Sequence, residues 1–178
     1  MGLNINTNTN NALYILQGKI VKVATKETAN YVVNGKFYKA FDSITGLLTG
    51  FEIVDGYKDG DKDAVLKIKD GTDEWILKFG VNSGNFTSWS KTIQNADLSK
   101  ELELVPVYRE DDGKKQSSLL IKQNGEFLKR KYTNDSMGKL PVAIPVDING
   151  KITYDYAAQM KYLITEISTI FDEAEMPF

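Results

Sequence analysis

Two residue spacings in this chain could do chemistry, and they point in different directions. In Asp59-Gly60-Asp61-Lys62-Asp63 the carboxylates stand at alternate positions, as in a calcium loop. The rest of the loop is wrong for that ion: the sixth position is Ala64 rather than Gly, the ninth is Lys67 and the twelfth is Asp70 rather than Glu. A polar turn between two strands is the better reading. The second spacing sets lysines beside aromatic rings. It occurs in Lys36-Phe37-Tyr38-Lys39, which follows Asn34-Gly35, and in Lys122, Phe127, Lys129 and Lys131, which flank Asn124-Gly125. Cations along a phosphate backbone and rings that stack on bases are what sequence-tolerant binding of a single strand requires, because every base has a π-face.

Those side chains must be carried by strands. Asn-Gly between strand-forming runs is the signal for a two-residue type I′ hairpin. With a two-residue turn at Asn124-Gly125, Lys122 falls opposite Phe127. Alternation then puts Lys122, Phe127, Lys129 and Lys131 on one face and Leu119, Ile121 and Leu128 on the other. The first hairpin, Tyr31–Val33 with Lys36–Phe41, supplies the same residue types without fixing which ring faces outward. Trp75 alternates with Leu77 and Phe79, and Trp89 falls on a helical stripe, so both read as core. If one tryptophan binds a ligand, it is Trp75.

Composition removes whole classes of chemistry. The chain has 178 residues, 42% hydrophobic and 26% charged, with no Cys and no His. Disulfides, thiolate nucleophiles, Cys/His zinc sites and imidazole bases are therefore excluded. No phosphate-binding glycine loop and no carboxylate pair suited to acid–base work stands out, so neither an enzyme nor a cofactor is expected. No window approaches 18 consecutive apolar residues, which argues against a membrane span and for a cytoplasmic protein, in a host cell if phage-encoded. Net charge is -2, but Tyr162 to Phe178 holds four acids and no base, so residues 1–161 carry 22 basic against 20 acidic side chains. A near-neutral body with an acidic end leaves room for a local basic groove.

Along the chain, residues 1–11 read as an Asn/Thr-rich disordered arm. Leu13–Ala24 reads as one long strand, followed by the first Asn-Gly hairpin, a strand at Leu47–Val54, and a pair at Ala64–Lys69 and Trp75–Val81. Phe86, Trp89 and Ile93 then change the period to that of a helix, with Ser83 or Asn85 as N-cap. Leu102–Arg109, Ser117–Gln123 and Glu126–Tyr132 are further strands. Several strands, one short helix and more strands is the element order of an OB-fold, a five-stranded Greek-key barrel, here placed at residues 12–132 with extra hairpins. A lipocalin-like barrel or a sandwich also satisfies the strand count. Residues 133–152, with Pro141, Pro145, Gly138 and Gly150, read as an extended connector, and 153–171 as an amphipathic helix. Its stripe of Tyr156, Met160, Leu163, Ile164, Ile167, Ile170 and Phe171 suits packing on the barrel, or a homo-oligomer in which such helices pair.

Residues 172–178 close the sequence with Asp172, Glu173, Glu175, Pro177 and Phe178: three carboxylates, no base, and a terminal Pro-Phe. A basic pocket with an apolar floor could take the ring as anchor and the acids as ion-pair partners. This acidic tip closing on Pro-Phe resembles the protein-docking tail of bacterial single-stranded-DNA-binding proteins, and acidic tails ending in an aromatic recur in the equivalent proteins of tailed phages. The resemblance covers eight residues. The tip follows a helix directly, where the bacterial family has a long Gly/Pro/Gln-rich linker, so a diverged phage-type member is the match. It implies non-catalytic binding of single-stranded DNA in replication, recombination or repair. It also implies that the tail recruits a polymerase, helicase, primase or nuclease. A β-barrel interaction or virion-associated protein, and an RNA-binding OB-fold, are the alternatives.

Overall fold

The computed structural model describes residues 11–174. The chain is mainly β. Ten strands form one sheet: β1 (Ala12–Leu16), β2 (Lys19–Val23), β3 (Tyr31–Val33), β4 (Lys36–Phe41), β5 (Ile44–Asp55), β6 (Lys62–Asp70), β7 (Asp73–Gly80), β8 (Leu102–Asp111), β9 (Lys114–Gln123) and β10 (Glu126–Phe127). Their spatial order is β10-β9-β8-β5-β6-β7-β1-β2-β4-β3. Helix α1 (Gly84–Ser90) lies between β7 and β8. A separate hairpin, β11 (Ile144–Ile148) with β12 (Lys151–Asp155), precedes helix α2 (Ala157–Ala174).

The expected five-stranded barrel does not close. Each strand that could seal one has its second edge occupied: β7 by β1, which runs parallel to it, and β9 by the short β10. The long strand expected over Leu13–Ala24 is also corrected, because the chain folds back at Gln17-Gly18, where φ is 48° and 75°. A side chain at Gly18 would bring a Cβ to 2.9 Å from that of Tyr108, so the turn presses against β8 at a point only glycine fits.

The Glu126–Tyr132 strand stops after Phe127. Leu128 N–H still donates to the Ile121 carbonyl (2.8 Å), but Lys131 N–H donates to the carbonyl of Lys91 (2.7 Å), which pulls the segment away from the sheet toward α1. The connector contains a third Asn-Gly hairpin, with Asn149 and Gly150 at φ 55° and 79°. Helix α2 starts and ends about one turn later than expected, so Asp172 and Glu173 are exposed positions of its last turn. Residues 1–10 of the arm expected over 1–11, and the tail residues Glu175, Pro177 and Phe178, lie outside the described residues, while Asn11 is held by its Nδ2 donating to the Glu74 carbonyl at 2.8 Å.

One core organises these elements. Ser83 caps α1 by accepting from Phe86 N–H at 3.2 Å. The helix then buries Phe86 and Trp89, and Ile93 in the turn beyond it is buried with them. Ser88 Oγ accepts from Leu119 N–H at 2.7 Å and locks the helix to β9. The Phe51 ring lies 5.5 Å from Trp89 and 6.0 Å from Phe171, so β5 bridges α1 and α2. Ile167 and Phe171 are buried in this core with Met160 and Ile164 packed beside them, and Leu163 is buried in a smaller cluster with Tyr132 and Leu140, so the helical stripe is covered within the chain itself. That face is not open to pair with a second helix. Among the described residues no helix is long and apolar enough to cross a membrane.

Candidate nucleic-acid interface

The aromatic and basic side chains gather where the starts of β5 and β7 meet the end of β4. Strand β4 alternates, with Phe37, Lys39 and Phe41 on one face and Lys36, Tyr38 and Ala40 on the other. Phe41 is the cross-strand partner of Ile20, and Lys39 that of Lys22. The first face is therefore the one that continues into the core. Phe41 and Trp75 both line an apolar cavity of about 200 Å³, with Leu13, Ile20, Ile44 and Thr45. Each ring carries a lysine: Lys22 Nζ stands 5.3 Å from the centre of the Trp75 ring, and Lys39 Nζ 5.8 Å from that of Phe41. Both contacts fall within the range of cation–π attraction.

From this cavity a row of cross-strand partners runs over the solvent face. Thr45, on the cavity wall, pairs with Glu103, Glu103 with Lys122, and Lys122 with Phe127. At about 4.8 Å per strand the row spans roughly 14 Å. Lys122 Nζ lies 5.0 Å from the centre of the Phe127 ring and 3.6 Å from Glu103 Oε2. Thr45 and Lys122 also line a second, more polar hollow of about 490 Å³ with Lys100 and Asn124. The two ring-and-lysine platforms stand on opposite faces of the sheet, the cavity beside the core-facing Ile20 and Ile44 and the Lys122–Phe127 pair on the solvent face, with Thr45 lining both hollows.

The sequence-derived candidates divide accordingly. Trp75 and Lys39 belong to the first platform, and Lys122 and Phe127 to the second, in the expected register; Phe37 shares a face of β4 with Lys39 but lines neither hollow. Lys36 and Tyr38 are placed on the opposite face of β4 and are not part of the surface. Lys129 and Lys131 are also corrected, because the strand that would align them with Phe127 ends too early. Lys129 uses its carbonyl to accept from Asn95 Nδ2 at 2.8 Å. Lys131 stays exposed but lies toward α2, donating to Gln94 Oε1 at 2.6 Å and standing 3.6 Å from Glu166.

The attraction toward α2 has a cause. Glu166 accepts from the hydroxyls of Tyr132 (2.7 Å) and Tyr162 (2.9 Å). Burial alone would raise its carboxyl, but the bonds from Tyr132 and Tyr162, with Lys131 nearby, outweigh burial and hold it below the ordinary value. Burial first, then the bond to Glu166, raises the Tyr132 phenol. Lys131 therefore serves the seam between α2 and the segment after β10.

Sequence reasoning missed Phe41 and Lys22. The signal for Phe41 was present in the alternation Phe37-Lys39-Phe41. Lys22 needed the fold-back at Gln17-Gly18 to be brought beside Trp75. Tyr57, fully exposed in the β5–β6 turn, gave no signal at all. That turn, residues 56–61, holds the first half of the Asp59–Asp63 stretch and is closed by Gly56 N–H on the Asp61 carbonyl at 2.9 Å. Compared with protein-family models, with curated proteins and with solved structures, the chain shows no match to any.

Proposed function

We propose that the chain binds single-stranded DNA without strong sequence preference and without catalysis, serving replication, recombination or repair. The observation that carries this reading is the cavity flanked by Trp75 and Phe41, each ring under its own lysine, Lys22 and Lys39, which are themselves cross-strand partners. Rings at a cavity mouth suit base stacking, and the lysines suit the phosphates on either side. A strand that passes over Thr45 from the cavity reaches the second platform, Lys122 with Phe127, on the outer face of the sheet.

Connectivity supports an OB-fold-like reading of the part from β5 to β9. In the order β8-β5-β6-β7, three hairpin-connected strands are joined by a fourth that returns beside the first, which is a Greek key. Helix α1 sits between the third and fourth of these strands, and β9 is the fifth. Such barrels are partly open and take oligonucleotides on their second and third strands. Here those strands are β6 and β7, and Trp75 stands on β7. The N-terminal β1 occupies the parallel position beside β7.

The acidic end, Asp172, Glu173, Glu175, Pro177 and Phe178, is proposed as a docking segment for replication or recombination proteins, as the resemblance implies. An anisotropy titration with labelled oligo(dT), the matched RNA and a duplex tests the main reading. Tight binding to single-stranded DNA, weaker binding to duplex, and an occluded length on the order of 4–16 nucleotides are expected. Equal or tighter binding to RNA reassigns the ligand, and no binding at low salt by the folded protein refutes the proposal.

A further inference from the structure

The β11–β12 hairpin is bonded to no other strand of the structure. An isolated two-stranded hairpin is marginal in water and needs a further strand or a packed face. Its apolar side chains are nonetheless out: Ile144, Val146, Ile148, Ile152 and Tyr154 are all exposed.

The two edges differ. Asn149-Gly150 makes a two-residue turn, so Ile148 and Lys151, which flank it, exchange backbone bonds, as do Val146 with Thr153 and Ile144 with Asp155. The intervening residues point their backbone groups outward. On β11 these are Pro145, which has no N–H, and Asp147, whose side chain accepts from Gly150 N–H at 2.7 Å. Proline on an edge blunts it against pairing. On β12 they are Ile152 and Tyr154, each with a free donor and acceptor. Only the β12 edge is built to take another strand.

We infer that this edge pairs with the β12 edge of a second copy of the chain, antiparallel about a two-fold axis through Thr153. The sequence Lys151-Ile152-Thr153-Tyr154-Asp155 is complementary to itself in that register. Lys151 falls opposite Asp155 of the second copy, Ile152 opposite Tyr154, and Thr153 opposite its own equivalent. Opposite charges, an aliphatic–aromatic pair and a Thr–Thr pair are the cross-strand combinations that stabilise antiparallel sheets. The backbone of Ile152 exchanges two bonds with Tyr154 of the second copy, and symmetry doubles them. The result is a four-stranded sheet with a two-fold axis, the symmetry expected of a dimer interface. Because the α2 stripe packs within its own chain, pairing of α2 helices does not compete with this edge.

The chain has no cysteine, which makes the test clean. Sedimentation equilibrium of the full chain should show a monomer–dimer equilibrium. Thr153→Cys should convert to a disulfide-linked dimer under mild oxidation, since residues facing each other across a non-hydrogen-bonded antiparallel pair come within disulfide reach. Ile148→Cys, on the far side of the hairpin, should not. Lys151→Glu leaves the hairpin's own backbone ladder intact but sets acids opposite acids, and should weaken the dimer several-fold. A monomer at every concentration overturns the inference. So does a dimer that Thr153→Cys fails to trap, or that Ile148→Cys traps equally fast, or that Lys151→Glu leaves unchanged.

Discussion

Trp75 and Trp89 sit in different surroundings, and the difference can be read optically. Trp89 is fully buried among Phe51, Phe79 and Phe86, whereas Trp75 is partly exposed under Lys22 at the mouth of the cavity. Oligo(dT) should therefore quench the Trp75 share of the fluorescence only, and Trp75→Phe should remove the quenching while the Trp89 emission persists. Trp75→Ala should cost roughly 1–3 kcal/mol of binding, the usual worth of one stacked base. Phe127 and Leu128 make a second comparison. Phe127 is 54% exposed, while Leu128 packs against the core. Phe127→Ala should weaken oligo(dT) binding by a similar amount with the melting temperature nearly unchanged, and Leu128→Ala should lower the melting temperature with little change in affinity. Unfolding of Phe127→Ala would show that the ring supports the fold rather than the ligand.

Elements with strong local signals were legible in the sequence, and those set by contacts distant along the chain were not. Asn124-Gly125 fixed Lys122 opposite Phe127 because a two-residue turn leaves only one register. Gln17-Gly18 was not recognised as a turn, since the apolar runs of β1 and β2 flank it closely and a lone Gly inside a strand-like run also reads as a bulge. Lys131 was misassigned because strand alternation cannot report the pull of Glu166, 35 positions away. That network also yields a prediction at this scale. The Glu166 carboxyl is held below its ordinary value of 4.5, so the unfolded chain takes up its proton first as pH falls. Its contribution to stability is complete above that value and is lost as pH drops through the lower folded value. Thermal melts across the acid range should show Glu166→Gln with a shallower loss of stability below pH 4.5 than the unmodified chain. An identical slope would mean that the Tyr132–Glu166–Tyr162 cluster does not hold α2 against the segment after β10.

At the scale of the molecule the charges are nearly balanced, so attraction to a polyanion must come from placement rather than from the total. Lys22, Lys39 and Lys122 are the lysines on the proposed path. Three phosphate contacts at about 0.7 each give a slope of about -2 for log affinity against log salt, and Lys22→Gln should reduce it by about 0.7. A far steeper slope would mean that the path runs over other lysines. The acidic end should affect this binding little and partner capture strongly. Deleting Glu175 to Phe178 moves the net charge from -2 to -1 and leaves Leu163, Ile167 and Phe171 in place over the core. The truncated chain should keep its melting temperature and bind oligo(dT) equally well or modestly better at low salt. Any gain should fade as the Debye length shrinks below about 10 Å. A replication or recombination protein retained by the full chain should be lost on truncation, and Phe178→Ala should reproduce much of that loss because it removes the anchoring ring and keeps the acids. If truncation abolishes DNA binding while Phe178→Ala leaves partner capture intact, the acidic end belongs to the DNA-binding surface and its docking role is refuted.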